Sequence, residues 1–165
     1  MSPIETLAGR NEKFSKLVTQ IGTIELEKRN ITFSSLSKII INQQLSGSAA
    51  DTIFSRLETL MGDWGDINPK QILKIPDDDL RRIGISFSKI GFIKDLAKKL
   101  LSNPDLIYSW NSLNDHEALE EIQKLKGFGP WSANIILLSM GRKDVFPFDD
   151  TTLKKAYLHI YGEPL

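Results

Sequence analysis

The segment LKGFGPWSA, residues 125 to 133, sets the tightest limit on how this chain can fold. Gly127, Gly129 and Pro130 crowd one short turn, and Ile135, Ile136, Leu137 and Leu138 follow almost at once. A run that apolar has to enter the core, so a buried helix must begin on a sharp, exposed turn. Gly127 and Gly129 permit positive φ and leave no side chain over the backbone, while Pro130 suits the first helical position, where its missing N–H costs nothing. The amides at positions 127, 129 and 132 can then point outward together. Unsatisfied donors and the helix dipole at such an end favour negative charge, which makes the turn a candidate anion site. A tight corner between two helices is the other use of the same glycines, and the turn alone leaves both open.

Apolar residues recur at helical spacing along almost the whole chain, and strand-like alternation bounded by hairpin turns is missing, which predicts an all-α fold. Helix starts are signalled by Ser or Thr at 32 to 35, by Ser46, Pro69, Asp77, Ser86 and Asp115, each ahead of a periodic apolar run. Gly62, Gly84, Gly127 and Gly141 fall where the periodicity ends, as left-handed caps would. About nine or ten helices of modest length follow from these signals. Two helix-turn-helix units stand out: one turns through IGIS at 83 to 86, and the other runs from Asp115 through the 125–130 turn to about residue 141.

The 165 residues, 41% hydrophobic and 25% charged, suffice for one domain with a sizeable core or two small lobes sharing one. No apolar run approaches the roughly 20 residues of a bilayer span, and residues 1 to 12 lack the order of a signal peptide, so an intracellular location is expected. With no cysteine, disulfides, Cys-held zinc and Cys-held iron–sulfur clusters are excluded, and His116 and His159 are too few for a usual metal set. Net charge is zero, with 21 basic and 21 acidic residues, so composition gives no hint of a polyanionic partner. The lysines and arginines do gather in the C-terminal half, at 98–99, 124, 126, 142–143 and 154–155, although such charges are ordinarily a solvated helix face.

The run from Leu125 to Lys155, LKGFGPWSANIILLSMGRKDVFPFDDTTLKK, closely resembles the helix-hairpin-helix and following Gly/Pro-Asp segment of the helix-hairpin-helix DNA glycosylase superfamily. In detail it is similar to the alkylbase branch, the 3-methyladenine DNA glycosylase II family. The likeness extends through IIINQQLSGSAA (39 to 50) and GISFSKIGFIKDLA (84 to 97), covering roughly residues 11 to 165. It implies one glycosylase domain over 1–165, two-lobed and all-α, with the catalytic aspartate at the lobe interface. It also implies a monomer acting on double-stranded DNA that contains alkylated bases, with no membrane role.

Position by position, the resemblance assigns the phosphate-holding amides to Gly127, Gly129 and Ser132. It assigns the carbonyls that hold a monovalent Na⁺ or K⁺ to Gln123, Leu125 and Phe128, with no other cofactor. The essential aspartate matches Asp150, and Asp149 is its neighbouring rival. The wedge that fills the gap left by an extruded base lies among Gln43, Gln44 and Leu45, with Gln44 the first choice. Trp131 stands where members that also cut the backbone carry a Schiff-base lysine, which implies a monofunctional enzyme. Trp131 and Phe148 are candidates for the base pocket, and packing alone would account for Trp131 equally well. Lys126, with Lys89, Lys124 and Lys143, is a candidate backbone contact. Trp64, Trp110 and Phe33 are expected in the core or pocket wall.

Read by itself, Asp150 is a helix N-cap, where the cap bond and dipole keep a carboxylate ionised. A fixed anion beside a sugar that develops oxocarbenium charge is what N-glycosidic cleavage needs, and a cap with no further role is the alternative. Family members usually continue with further helices past the segment that matches Asp150, where this sequence ends at Leu165. That departure keeps a second function open: a DNA-binding hairpin module that is catalytically impaired or inactive. A helical interaction domain using the hairpin only as a corner is a third.

Overall fold

The computed structural model describes residues 3–22, 28–62 and 67–165. The elements are α1 (Pro3–Arg10), α2 (Glu12–Ile21), α3 (Phe33–Asn42), α4 (Gly47–Met61), α5 (Pro69–Ile72), α6 (Asp77–Arg82), α7 (Phe87–Ser102), α8 (Leu106–Ser109), α9 (Asp115–Gln123), α10 (Pro130–Ser139) and α11 (Thr151–Tyr161). A 3-10 turn, Trp110–Ser112, leads from α8 towards α9. No strand occurs among the described residues, and no helix there is long and apolar enough to cross a membrane. The fold is all-α, with more helices than the start signals gave: the N-terminal pair was not foreseen, although Asn11 caps α2 through the amide of Phe14. Trp64 lies outside the described residues.

The chain divides into two compact units, one of residues 29–145 and one joining residues 1–28 to 146–165. In the larger unit, local side chains start most helices. Thr32 accepts from the amide of Ser35 while its own amide donates to Ser35 Oγ, a reciprocal capping box. Asn114 and Glu117 make the same arrangement ahead of α9, so Asn114 rather than Asp115 is the cap. Ser46 caps α4 and Ser86 caps α7, whereas α6 follows Pro76 without a side-chain cap.

Packing supplies the rest of the stability. α7 lies against α3, α5 and α6, and buries Ile90, Ile93, Leu96 and Ala97. Leu36, Ile40, Leu57, Ile72, Leu80 and Ile122 join it in the core, each removed from water almost completely. Each such side chain contributes about 1.5–3 kcal/mol relative to exposure. α9 packs on α10, whose Ala133, Ile136 and Leu137 are fully buried. Phe33 and Trp110 are core residues too, as expected. In the smaller unit α2 touches α1 and α11, Lys13 Nζ donates to the carbonyl of Tyr161 at 2.6 Å, and the rings of Tyr157 and Tyr161 lie 4.5 Å apart.

Candidate active site and nucleic-acid interface

The hairpin between α9 and α10 is fastened from beneath. Leu125 and Phe128 are buried, and the turn is closed by Leu125 N–H to Ile122 O at 3.0 Å and Phe128 N–H to Leu125 O at 3.1 Å. Gly127 has φ 86°, and a Cβ there would sit 2.5 Å from Phe92 Cδ2, so packing as well as backbone geometry demands glycine. Gly129 does not use the positive φ that a glycine permits. At φ −96° and ψ −173° it is extended backbone that any residue could adopt, and a Cβ would meet nothing within 4 Å. What Gly129 does instead is occupy the N-cap of α10 without a side chain to bond the first-turn amides. Gly129 and Pro130 are exposed, whereas Ser132 is 2% exposed and its hydroxyl accepts from Gln43 Nε2 at 3.1 Å.

For a cation, the carbonyls of Gln123, Leu125 and Phe128 offer neutral hard oxygens, a donor set suited to a hard ion and not to zinc. The Leu125 oxygen accepts one hydrogen bond and keeps a lone pair. Among the described residues no group of three or more His, Asp or Glu could hold a metal.

The 43–45 loop lies against this hairpin. Gln43 has φ −55° and ψ 130°, Gln44 has φ 58°, and Leu45 N–H donates to Asn42 O at 3.2 Å, the geometry of a type II turn. Gln44 is the one non-glycine with positive φ among the described residues. A left-handed conformation costs a residue of this kind about 1–2 kcal/mol. The Gln43 side chain points inward, donating from Nε2 to Gly127 O at 2.7 Å and to Ser132 Oγ at 3.1 Å. Gln44 and Leu45 are exposed at the tip. Of the three candidates, Gln43 is committed to the hairpin and Gln44 is presented outward.

The basic residues divide. The Lys89 ammonium is engaged within the protein, donating to Ile41 O at 2.9 Å and Gln43 O at 2.7 Å, and burial lowers its pKa. Lys126 Nζ lies 3.2 Å from Asp95 Oδ1, an exposed pair that a phosphate could displace. Lys124 pairs with Glu121, whose hydrogen bond raises its pKa, and Lys143 is exposed. Sequence reasoning gave Arg142 no role of its own. Its guanidinium bonds Asp115 Oδ1 and the carbonyls of Trp110 and Leu113, each at 2.8 Å, tying the end of α10 to the start of α9. Phe87 was passed over as well. It opens α7 at 59% exposure, with the Arg81 guanidinium carbon 5.9 Å from its ring centroid.

Trp131 is half-buried on the first turn of α10. Asp150 and Phe148 belong to the other unit. There Asp150 is the N-cap of α11, its Oδ1 accepting from Leu153 N–H at 2.8 Å, and it is half-buried. Asp149 has an 80% exposed side chain, 3.2 Å from Lys154 Nζ. Phe148 is 64% exposed, edge-on to Phe146 with centroids 4.7 Å apart.

A family model described as HhH-GPD superfamily base excision DNA repair protein matches residues 37–164. DNA-3-methyladenine glycosylase 1 of Schizosaccharomyces pombe is 28% identical, over 96% of this chain and 72% of that protein. The alkylbase DNA glycosidase-like protein mag2 of the same organism is 27% identical, over 94% of this chain and 76% of its own. The solved structure of the S. pombe 3-methyladenine DNA glycosylase in complex with abasic DNA superposes with a TM-score of 0.86 at 26% identity, over 98% of this chain and 81% of that one.

Proposed function

We propose, because the chain belongs to the HhH-GPD superfamily of base excision DNA repair proteins, that it removes alkylated purines such as 3-methyladenine from duplex DNA by monofunctional hydrolysis. It is a base excision DNA glycosylase, a hydrolase of the N-glycosyl bond, and DNA is its partner. The observation that carries the mechanism is the contrast between two adjacent carboxylates: Asp150 is half-buried at a helix cap, whereas Asp149 is solvated and ion-paired.

A base within a duplex is out of reach, so the nucleotide is extruded first, with Gln44 entering the gap it leaves. Gly127, Gly129 and Ser132 hold a backbone phosphate through their amides, and Lys126 adds charge nearby. A monovalent cation on the carbonyls of Gln123, Leu125 and Phe128 would add positive charge beneath that phosphate. Trp131 in one unit and Phe148 in the other are each an aromatic candidate for stacking on the extruded base, and stacking on a cationic ring is worth on the order of 1 kcal/mol or more once desolvated.

The C1′–N bond then breaks with its electron pair going to the base. A purine alkylated on a ring nitrogen starts cationic and leaves neutral, so no protonated acid is needed. Positive charge develops on the sugar, and the Asp150 carboxylate opposes it. Water adds to C1′ and releases a proton. No imine forms at the residue after Pro130, because it is tryptophan.

Single-turnover base release from methylated duplex tests this, with circular dichroism to follow folding. Asp150→Asn should slow excision about 10²-fold or more while duplex binding stays near normal, since the amide keeps the shape and loses the charge. Asp149→Asn should be mild. Loss of activity in the Asp149 variant alone would move the role to that residue, and a borohydride-trapped covalent adduct on lesion DNA would overturn monofunctional hydrolysis.

A further inference from the structure

We infer that Lys89 is a positioning residue for base extrusion: by holding the carbonyls of Ile41 and Gln43 it fixes the turn in which Gln44 is presented outward. The inference rests on the reading of Gln44 as the wedge. Type I and type II turns differ mainly by a flip of the central peptide, which here joins Gln43 to Gln44. In the type I form the Gln43 oxygen swings to the opposite side and the second central residue returns to negative φ. Glycine and asparagine favour type II at that position, and glutamine does not. The sequence alone therefore leans towards type I, and something outside the turn must hold the flip.

Lys89 is placed to do so. Its Nζ lies 2.7 Å from the Gln43 oxygen, the atom that moves in the flip, and 2.9 Å from the Ile41 oxygen, which anchors it to the last turn of α3. The Gln43 side chain holds the same residue from the other side through Gly127 O and Ser132 Oγ. The residue before the strained tip is thus held through its carbonyl and its side chain, and the residue after it through Leu45 N–H to Asn42 O, as persistent strain requires. Gln43 reaches the hairpin through Gly127 O and Ser132 Oγ, acceptors other than the amides proposed to hold the phosphate.

Three variants read the turn separately from the fold, each followed by fluorescence of 2-aminopurine beside the lesion and by single-turnover excision. Lys89→Met keeps the aliphatic stem and removes the donors. It should lower the extrusion signal and the excision rate about tenfold, with affinity for undamaged duplex unchanged. Lys89→Arg, which can still donate to both carbonyls, should restore most of the loss. Adding Gln44→Asn to Lys89→Met should recover part of it as well, because asparagine tolerates left-handed backbone unaided. A purely structural lysine would lower thermal stability and gain nothing from the asparagine. Normal extrusion in Lys89→Met, or a loss that neither arginine nor asparagine relieves, overturns the inference. Gln44→Ala with undiminished extrusion would instead sink the wedge reading on which it rests.

Discussion

The larger unit contains two helical hairpins built by the same backbone device, α6 to α7 and α9 to α10. Each turns through a glycine at positive φ, Gly84 at 109° and Gly127 at 86°, with the next helix capped two residues later. The caps differ. Ser86 turns its hydroxyl to the amide of Lys89 at 3.4 Å, so the first hairpin supplies an acceptor for its own helix start. Gly129 supplies none, and the start of α10 is left to whatever acceptor comes from outside. A tight turn is therefore not what marks a candidate anion site here. The missing cap is.

The largest effect expected from this comparison is on folding. Gly127→Ala drives a methyl group into the Phe92 ring at a φ that alanine resists, and should cost about 2–5 kcal/mol in urea unfolding, from overpacking and the left-handed penalty together. Gly84→Ala should cost less. Its Cβ would meet Ile53 Cγ1 at 3.1 Å and Cδ1 at 3.3 Å, contacts longer than the 2.5 Å approach to Phe92. Lost DNA binding in the Gly127 variant would accordingly say little about phosphate. Equal costs at the two glycines would mean that Phe92 yields as readily as Ile53.

Gly129 is the cleaner probe, because nothing in the protein lies within 4 Å of a Cβ there. Gly129→Ser would make the second hairpin resemble the first. The new hydroxyl should raise stability by a few tenths of a kcal/mol, since serine caps slightly better than glycine. It would also compete with phosphate for the same amides. Duplex affinity should fall about tenfold, the worth of a charge-assisted hydrogen bond, and the slope of affinity against salt should drop by about one ion. Unchanged affinity and slope in a well-folded variant would show that the open helix end holds no DNA.

What could be read from the sequence follows the range of the interactions. Ser46, Ser86 and Thr32 were legible as caps because a cap bonds within three residues of itself. Gly62, Gly84, Gly127 and Gly141 all take the positive φ that a stop signal implies. Gly127 and Gly129 look alike in one turn until the backbone shows that only Gly127 is left-handed. Lys89 looked like a surface cation because its partners lie 48 and 46 residues away, beyond any local pattern. Arg142 was obscured in the same way: beside Lys143 it read as one more solvated charge, yet it reaches back 27 residues to Asp115. Asp149 and Asp150 were ranked by resemblance, and their different surroundings, a cap bond to Leu153 N–H for Asp150 and Lys154 beside Asp149, lie beyond what two adjacent identical letters can show.

The smallest effect is also the sharpest test of whether a missing cap is enough. Ser86→Gly would strip the hydroxyl from α7 and give the first hairpin the cap of the second. Stability should drop by only a few tenths of a kcal/mol, because glycine is a tolerable N-cap and the bond lost is long. Lys89 would keep its side-chain bonds to Ile41 and Gln43, so the turn at Gln44 should be undisturbed. Duplex affinity and its salt slope should stay where they were. An open cap at α7 has the exposed Phe87 ring at its first position, whereas α10 begins with Pro130 behind a bare Gly129. An aromatic ring there hinders the close approach a phosphate needs. Should the variant instead bind duplex more tightly, with a salt slope steeper by about one ion, any glycine-capped helix on this unit would serve as a phosphate site. The distinction between the hairpins would then reduce to a single hydroxyl.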